Sequence, residues 1–472
     1  MSKILLVNTT KENDKEASSS IYPPLGLLSI AGKLKRDGYD VRLIDPQVEE
    51  DFLELLKEEI EQKPLFVGMT TFMGKNILNA VDLSKLIKEL SPETPIVWGG
   101  PLATGSPELC LNHESKCVDY IVMGIGEITV SKLVKALENN EDVSLIDHVS
   151  SNINGNMLIK EKYFLEGDID SLGDPDLKLW ENGVRKMNTI PILSSRGCPR
   201  NCSYCYNNAF TGRKKWFACS GEKIVADMER WNRYFNIDNF YFIDDNFLVD
   251  TQRAVYILKK AIEKKFKISQ ITGHLIDFKP DILKLVYDYI RQAGFSIESA
   301  SERIQKLLNK KINLNKALEL LTHLSDNKIE TINTNFMFGF PSETTEDIAK
   351  NIEMALKIRN INPKIRCIPF IYTPQPQDDI VPQFESCRNL LFTLENLSHF
   401  DLAPHRTNFL SNEIRPWMSK EEIYFYINLI KIWFFHFDYK TRESMEIDYQ
   451  DILRNNEKLR KLFENIPILS LK

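Results

Sequence analysis

Short apolar segments alternate with helix-length segments along most of this 472-residue chain, in two series separated by a break. The first series reads KILLVN (3–8), YDVRLID, PLFVGMT, PIVWGG and VDYIVMG. Between these lie PLGLLSIAGKLKRDG, with Pro24 near a helix start and Gly38 as a stop, and helices near 50–62 and 76–90; another begins at Glu127. Strands that alternate with helices in this way close into a parallel, doubly wound sheet. Gly99, Gly100, Gly124 and Gly126 fall just past strands, at the carboxyl ends where such sheets bind ligands.

Residues 141–188 break the rhythm with mixed segments such as NINGNMLIK and read as a linker packed between domains. The second series offers IPILSSRG, NFYFIDD, KISQITGHLI, GFSIESA, TINTNFMFGF and KIRCIPFIY, with helices between them. Six βα units imply a partial (β/α)6 barrel, short of the closed eight. Beyond Pro374, Pro376 and Pro382 the alternation stops, and EEIYFYINLIKIWFFHF dominates a small, mainly helical region. At helical spacing its aromatics suit a core better than a substrate wall. The expected fold class is therefore α/β, divided into 1–140, a linker over 141–188, a barrel over 189–374 and a helical region over 375–472.

Charge narrows the partners. Sixty Lys and Arg against 66 Asp and Glu give a net charge of −6, so the chain has no general attraction for nucleic acid or an anionic membrane. No apolar run reaches the ~18 to 20 residues of a membrane span, and MSKILLVNTT is too short for a signal peptide. A cytoplasmic protein is expected. Eight cysteines are too few for a disulfide scaffold, but Cys198, Cys202 and Cys205 fall together directly after the first strand of the second series. Cys219, Cys367 and Cys387 read as buried hydrophobes.

Clustered thiolates suit zinc or iron–sulfur clusters, and structural zinc wants four ligands where this loop supplies three. Cys198-Pro-Arg-Asn-Cys202-Ser-Tyr-Cys205, with Tyr204 before the last cysteine, resembles the signature of the radical S-adenosylmethionine (SAM) superfamily. FYFIDDNF (240–247), GFSIESASERI (294–304) and FMFGFPSET (336–344) follow in the order that superfamily has, so the likeness covers about 186–375. Ala300 and Ser342 stand where its glycines are usual. The resemblance implies a 4Fe-4S cluster on Cys198, Cys202 and Cys205. It also implies SAM contacts from Tyr204, Asp244, Glu298, Ser299, Gly339 and Pro341. Asp244 and Asp245 have a plainer reading as strand terminators that cap the next helix. Glu298, inside an apolar strand, requires a polar or cationic partner.

The first series resembles the cobalamin-binding domain of one large subclass of that superfamily. The carrying residues are 23–45, VGMTTFMGKNI (67–77), VWGGPLATGSPE (97–108) and VDYIVMGIGEIT (118–129), with Ile125 in place of a usual glutamate. The resemblance implies cobalamin contacts from Gly68, Thr70, Thr71, Gly99, Gly100, Pro101, Gly124, Gly126 and Glu127. Many such domains carry a cobalt-ligating histidine after the first strand. Here residues 8–22 have none, and His113 and His148 lack that context. Cobalamin is then expected to bind without a histidine on its lower face, its nucleotide tail tucked near 99–100 and 124–126.

Together these likenesses imply an enzyme that uses a 5′-deoxyadenosyl radical and methylcobalamin to methylate an unactivated carbon of a small molecule or peptide. An external donor such as a flavodoxin or ferredoxin would reduce the cluster. A cyclisation or rearrangement using cobalamin without methylation is the alternative, and a non-catalytic cobalamin sensor the next. A tRNA methylthiotransferase would need three more cysteines in the first domain, where only Cys110 and Cys117 occur.

Overall fold

The computed structural model describes residues 2–10, 21–153, 155–164, 169–284, 286–327, 329–387, 390, 392–398, 415–438, 440 and 449–464. Most of the loop expected to carry no cobalt ligand (11–20) and much of the C-terminal region lie outside the described residues.

The first sheet contains β1 (Lys3–Val7), β2 (Asp40–Ile44), β3 (Val67–Thr70), β4 (Ile96–Gly99) and β5 (Tyr120–Val122), then β6 (Val149–Ile153) and β7 (Asn156–Leu158). Its order is β2-β1-β3-β4-β5-β6-β7, parallel from β2 to β5. Ile4, Leu5, Leu6 and Val7 are all buried, as a parallel strand covered on both faces requires. One face packs on Leu25–Arg36 and Glu127–Asn139, the other on Phe52–Glu61 and Asn76–Leu90. Chain order reverses between β1 and β3, so the ligand crevice of this topology opens at their carboxyl ends.

The segment 141–188, expected as a linker, differs. Its β6 and β7 run antiparallel and extend the first sheet, and Trp180 donates from Nε1 to Asp45 Oδ2 at 2.7 Å. Short strands with little apolar alternation hid this from the sequence.

The second sheet comprises β8 (Ile190–Ile192), β11 (Asn239–Phe242), β12 (Lys267–Thr272), β13 (Ile290–Glu298), β14 (Thr331–Phe338) and β15 (Arg366–Ile371), all parallel and neighbouring in chain order. These are the six expected strands of the partial barrel. Between β8 and β11, β9 (Ser195–Gly197) and β10 (Trp216–Ala218) form a separate antiparallel pair. The aromatic helix Lys420–Phe437 begins with a capping box on Ser419 and packs on the barrel's outer layer. Trp433 packs at steep ring angles against Phe336 and Phe338 and donates to the Cys367 carbonyl at 2.9 Å. Its aromatics form core, as expected. Cys219, Cys367 and Cys387 are buried. Among the described residues no helix is long and apolar enough to cross a membrane.

Candidate active site

The cysteine loop leaves β9 and returns at β10, whose pairing Gly197↔Trp216 closes it at the base. Cys198, Cys202 and Cys205 are partly exposed and close enough to raise one another's pKa. Burial pushes the Cys205 thiol up to about 12, with Cys202, Asp245 and Cys198 adding to it. Such thiols are protonated alone and lose their protons to a metal. Three thiols on one short loop, fewer than the four ligands of a structural zinc site, suit an iron–sulfur cluster.

Three consecutive residues after β11 hold the loop. Asp244 is buried and accepts from the Ser194 N–H at 2.8 Å and from the Ser194 and Ser195 hydroxyls at 2.5 Å each. Both of its oxygens are hydrogen-bonded within the protein. Asp245 accepts from the Gly197 N–H at 2.9 Å and the Tyr206 hydroxyl at 2.9 Å, tying both ends of the cysteine loop. Asn246 donates to Asp277 at 2.8 Å and lies 3.8 Å from Cys198 Sγ. Asp277 in turn pairs with Arg200 inside the motif.

Glu298 ends β13 with φ +63°, in the left-handed region. Its partner comes from the chain itself: Lys310 Nζ lies 2.8 Å from Oε1, and the Tyr204 hydroxyl donates to the same oxygen at 2.8 Å. Lys310 was not singled out in the sequence, which offers Lys306, Lys310 and Lys311 with nothing to choose between them. Ser299 is buried, donates to Asn351 Oδ1 and accepts from the Ser301 N–H, so its hydroxyl is used internally. Gly339, with φ +80°, donates to Glu343 Oε2 at 2.7 Å and accepts from Trp417 Nε1 at 3.2 Å. Pro341 follows in that turn. Glu343 is held up at about 8 by burial, against hydrogen bonds from Gly339 and Tyr426 that lower it.

The residues expected on cobalamin divide. A Cβ at Gly68 would strike Leu6 and Phe66, and one at Gly126 would strike Ile30, so both are packing positions. Gly100 (φ +90°) lies against Thr70 and Thr71, and Gly124 (φ +85°) against the Tyr163 backbone. The chain's own atoms, not a ligand's, make those close approaches. Thr71 donates to the Gly99 carbonyl at 2.9 Å and accepts from the Ala103 N–H at 3.3 Å. Thr70 accepts at its carbonyl from Thr9, and Pro101 opens the helix Gly100–Gly105. Glu127 is 2% exposed and pairs with Arg196 of β9, so it joins the helix Glu127–Asn139 to the β9–β10 pair.

Room for a large apolar cofactor remains at the carboxyl edge. A Cβ at Gly99 would meet only the Val122 carbonyl at 3.8 Å, and Phe72, just past β3, is 49% exposed. Helix Gly100–Gly105 packs on the one-turn π-helix Asn208–Gly212 that follows the cysteines. Beside that contact Asn207 Oδ1 is buried with no partner among the described residues. An open Gly99, a bare aromatic and an orphaned acceptor fit a broad corrin with amide fringes.

Residues 16–134 match the B12 binding domain and residues 192–355 the radical SAM superfamily. An uncharacterized methyltransferase of Pyrococcus horikoshii is 28% identical over 456 residues, which cover 94% of this chain and 97% of that protein. The hopanoid C-3 methylase of Methylococcus capsulatus is 27% identical over 320 residues, 63% of this chain and 58% of that one. Among solved structures, the radical SAM methyltransferase TsrM of Kitasatospora setae, with cobalamin and a 4Fe-4S cluster bound, has a similar fold. Its TM-score is 0.66 at 15% identity, over 80% of this chain and 74% of that chain.

Proposed function

The chain belongs to the cobalamin-dependent radical SAM enzymes, and from that premise we propose that it methylates an unactivated carbon of a small molecule or peptide. The observation that carries the reading is the meeting of two ligand edges. The carboxyl edge of the first sheet abuts the cysteine loop through the Gly100–Gly105 helix and the Glu127–Arg196 pair. When bound, the cluster and SAM supply hydrogen abstraction from carbon, and cobalamin supplies the methyl carrier.

The chain's own residues orient these groups. Cys198, Cys202 and Cys205 ligate the cluster, and Asp245 and Asn246 hold their loop. Tyr204, Glu298 and Lys310 form a buried charged wall beside it, and the Gly339–Pro341 turn borders the SAM site. A one-electron donor of the flavodoxin or ferredoxin kind reduces the cluster, in the cytoplasm. The printed name of the Methylococcus relative places its reaction at a hopanoid carbon; the substrate here is a separate matter.

The test is anaerobic reconstitution with iron, sulfide, cobalamin, a strong reductant and SAM carrying a trideuterated methyl group. The expected products are 5′-deoxyadenosine and a molecule bearing the trideuteromethyl tag. Deoxyadenosine without any tagged product would point to cyclisation or rearrangement. No deoxyadenosine from fully iron-loaded protein would refute the enzymatic reading.

A further inference from the structure

The inner wall of the barrel carries a pattern that the site described above leaves unused. On one face Ala293, Phe295, Ile297 and Ile332 join the hydrophobic core. On the opposite face Gln270, Thr272, Gln292, Ser296 and Asn335 are only half-buried. These polar residues are linked across strands. Gln292 donates to Gln270 Oε1 at 2.8 Å, and Asn335 donates to Ser296 Oγ at 3.0 Å. Lower down, Ser269 donates to Asn239 Oδ1 at 2.8 Å, and Asn239 to Thr189 Oγ1 at 2.7 Å.

Each amide pair uses one donor and one acceptor, and a carboxamide has two donors and an acceptor with two lone pairs. Hydrogen-bonding capacity is therefore left over along β12, β13 and β14. Asn333 Oδ1, on the same inner face, is buried with no partner among the described residues. The lumen also has a floor. Arg366 at the start of β15 forms a two-point ion pair with Asp438 at 2.9 Å, and Lys440 donates to Thr331 Oγ1 at 3.0 Å. At the amino ends of these strands lies a pocket of about 310 Å³ lined by Tyr241, Gln270, Arg291, Gln292, Thr331 and Lys440. The cysteine loop and Glu298 stand at the other end of the strands.

We infer that this lumen receives a water-soluble, hydrogen-bonding substrate, read by Gln270, Gln292 and Asn335, and not a lipid. The inference rests on the methyl-transfer reading and names the substrate class for that same site. An apolar molecule seated here would strip water from the amide and hydroxyl groups of β12, β13 and β14 and return no hydrogen bonds. A site built to hydrogen-bond its ligand discriminates strongly against a molecule that lacks the matching groups. Ile243, Met337, Ile368 and Phe370 supply apolar contact on the same face, enough to seat a hydrocarbon portion of a polar molecule but not to replace the amides.

The experiment offers the reconstituted full-length enzyme two extracts of the same cells, one aqueous and one in chloroform, with SAM carrying a trideuterated methyl group. Transfer of the mass tag to a compound of the aqueous extract supports the inference. A tag found only in the chloroform extract overturns it while leaving methyl transfer intact. A tag in neither, from protein loaded with cluster and cobalamin, overturns the methyl-transfer reading and takes this inference with it. Once the product is known, Asn335→Leu should raise KM for the substrate about tenfold with a smaller change in kcat, as loss of one hydrogen bond requires. An unchanged KM in folded Asn335→Leu and Gln292→Leu proteins would remove these side chains from substrate recognition and overturn the assignment.

Discussion

Replacing Glu127 by Leu strands a charge at the junction of the two domains. Glu127 is 2% exposed at its side chain and Arg196 16%, so the pair is almost fully withdrawn from water. Burial works against the Arg196 charge, and the Glu127 carboxylate more than restores it. Removing one member of such a pair costs about 3–5 kcal/mol, because the other remains buried and uncompensated. Replacing both with apolar residues of similar volume costs much less, since no charge is left behind. Glu127→Leu and Arg196→Met should therefore each destabilise by about 3–5 kcal/mol, and the double variant by less than either single one. That gives a coupling energy of at least about 3 kcal/mol. Urea unfolding read by tryptophan fluorescence measures it, taking the first transition alone because a chain of several domains need not unfold in one step. Arg196 lies two residues before Cys198, so iron content after reconstitution should fall in the single variants and recover in the double. Strictly additive energies, or a single-variant cost below about 1 kcal/mol, would show that the pair carries no load and that the domains are joined by apolar packing.

Cys198→Ala, Cys202→Ala or Cys205→Ala should each abolish the visible iron–sulfur absorbance and all SAM cleavage; a variant with full iron and activity would break the ligand assignment. Lys310→Met leaves Glu298 unpaired and should weaken SAM binding by calorimetry, with Glu298→Gln/Lys310→Met recovering stability though not affinity; unchanged affinity would exclude this pair from the SAM site. Glu343 binds its proton more tightly folded than unfolded, since burial raises it to about 8 from an ordinary 4.5. Its stabilising contribution is complete below pH 4.5 and is lost as pH rises through about 8, so stability should fall across that window and Glu343→Gln should flatten the fall; equal slopes would count against a protonated Glu343.

The strands were legible in the sequence because each is a compact apolar run bounded by polar or turn residues. All six of the barrel and the five parallel ones of the first sheet could be read in this way. β6 and β7 could not, since VSSNI and NML carry little apolar alternation and owe their place to pairing with β5. The cysteine loop was legible from spacing alone. The roles around it were less so, because a carboxylate in a motif looks the same whether it faces a ligand or a serine. Asp244 and Ser299 turned inward, Asp245 became the clasp, and Glu127 found an arginine 69 residues away. Glycines are ambiguous in a similar way. Close approach at Gly100 and Gly124 is real, but the approaching atoms belong to the Thr70–Thr71 and Tyr163 segments.

Two non-glycine residues with positive φ at the barrel mouth show how this chain keeps its turns. Glu298 at φ +63° and Ser342 at φ +113° both sit in backbone conformations that side chains disfavour, at a cost of order 1–3 kcal/mol each. Each is held by a cation from the short stretch 302–310. Arg303 donates to the Ser342 hydroxyl at 3.0 Å and carbonyl at 2.7 Å, and it also pairs with Asp347. Lys310 pairs with Glu298. Arg303 is in the helix Glu302–Leu307 and Lys310 three residues past its end, so one helix with its flank fixes the turns that end β13 and begin the loop after β14. Charge-assisted hydrogen bonds of this kind are stronger than neutral ones and offset strain of that size. A glycine at 342 would relieve the local strain yet free the turn in the unfolded chain, while the serine hydroxyl gives Arg303 a second point of attachment. The strained conformation and its cationic support therefore act as one unit, which fixes the turn after β13 and the turn after β14 through a single short segment.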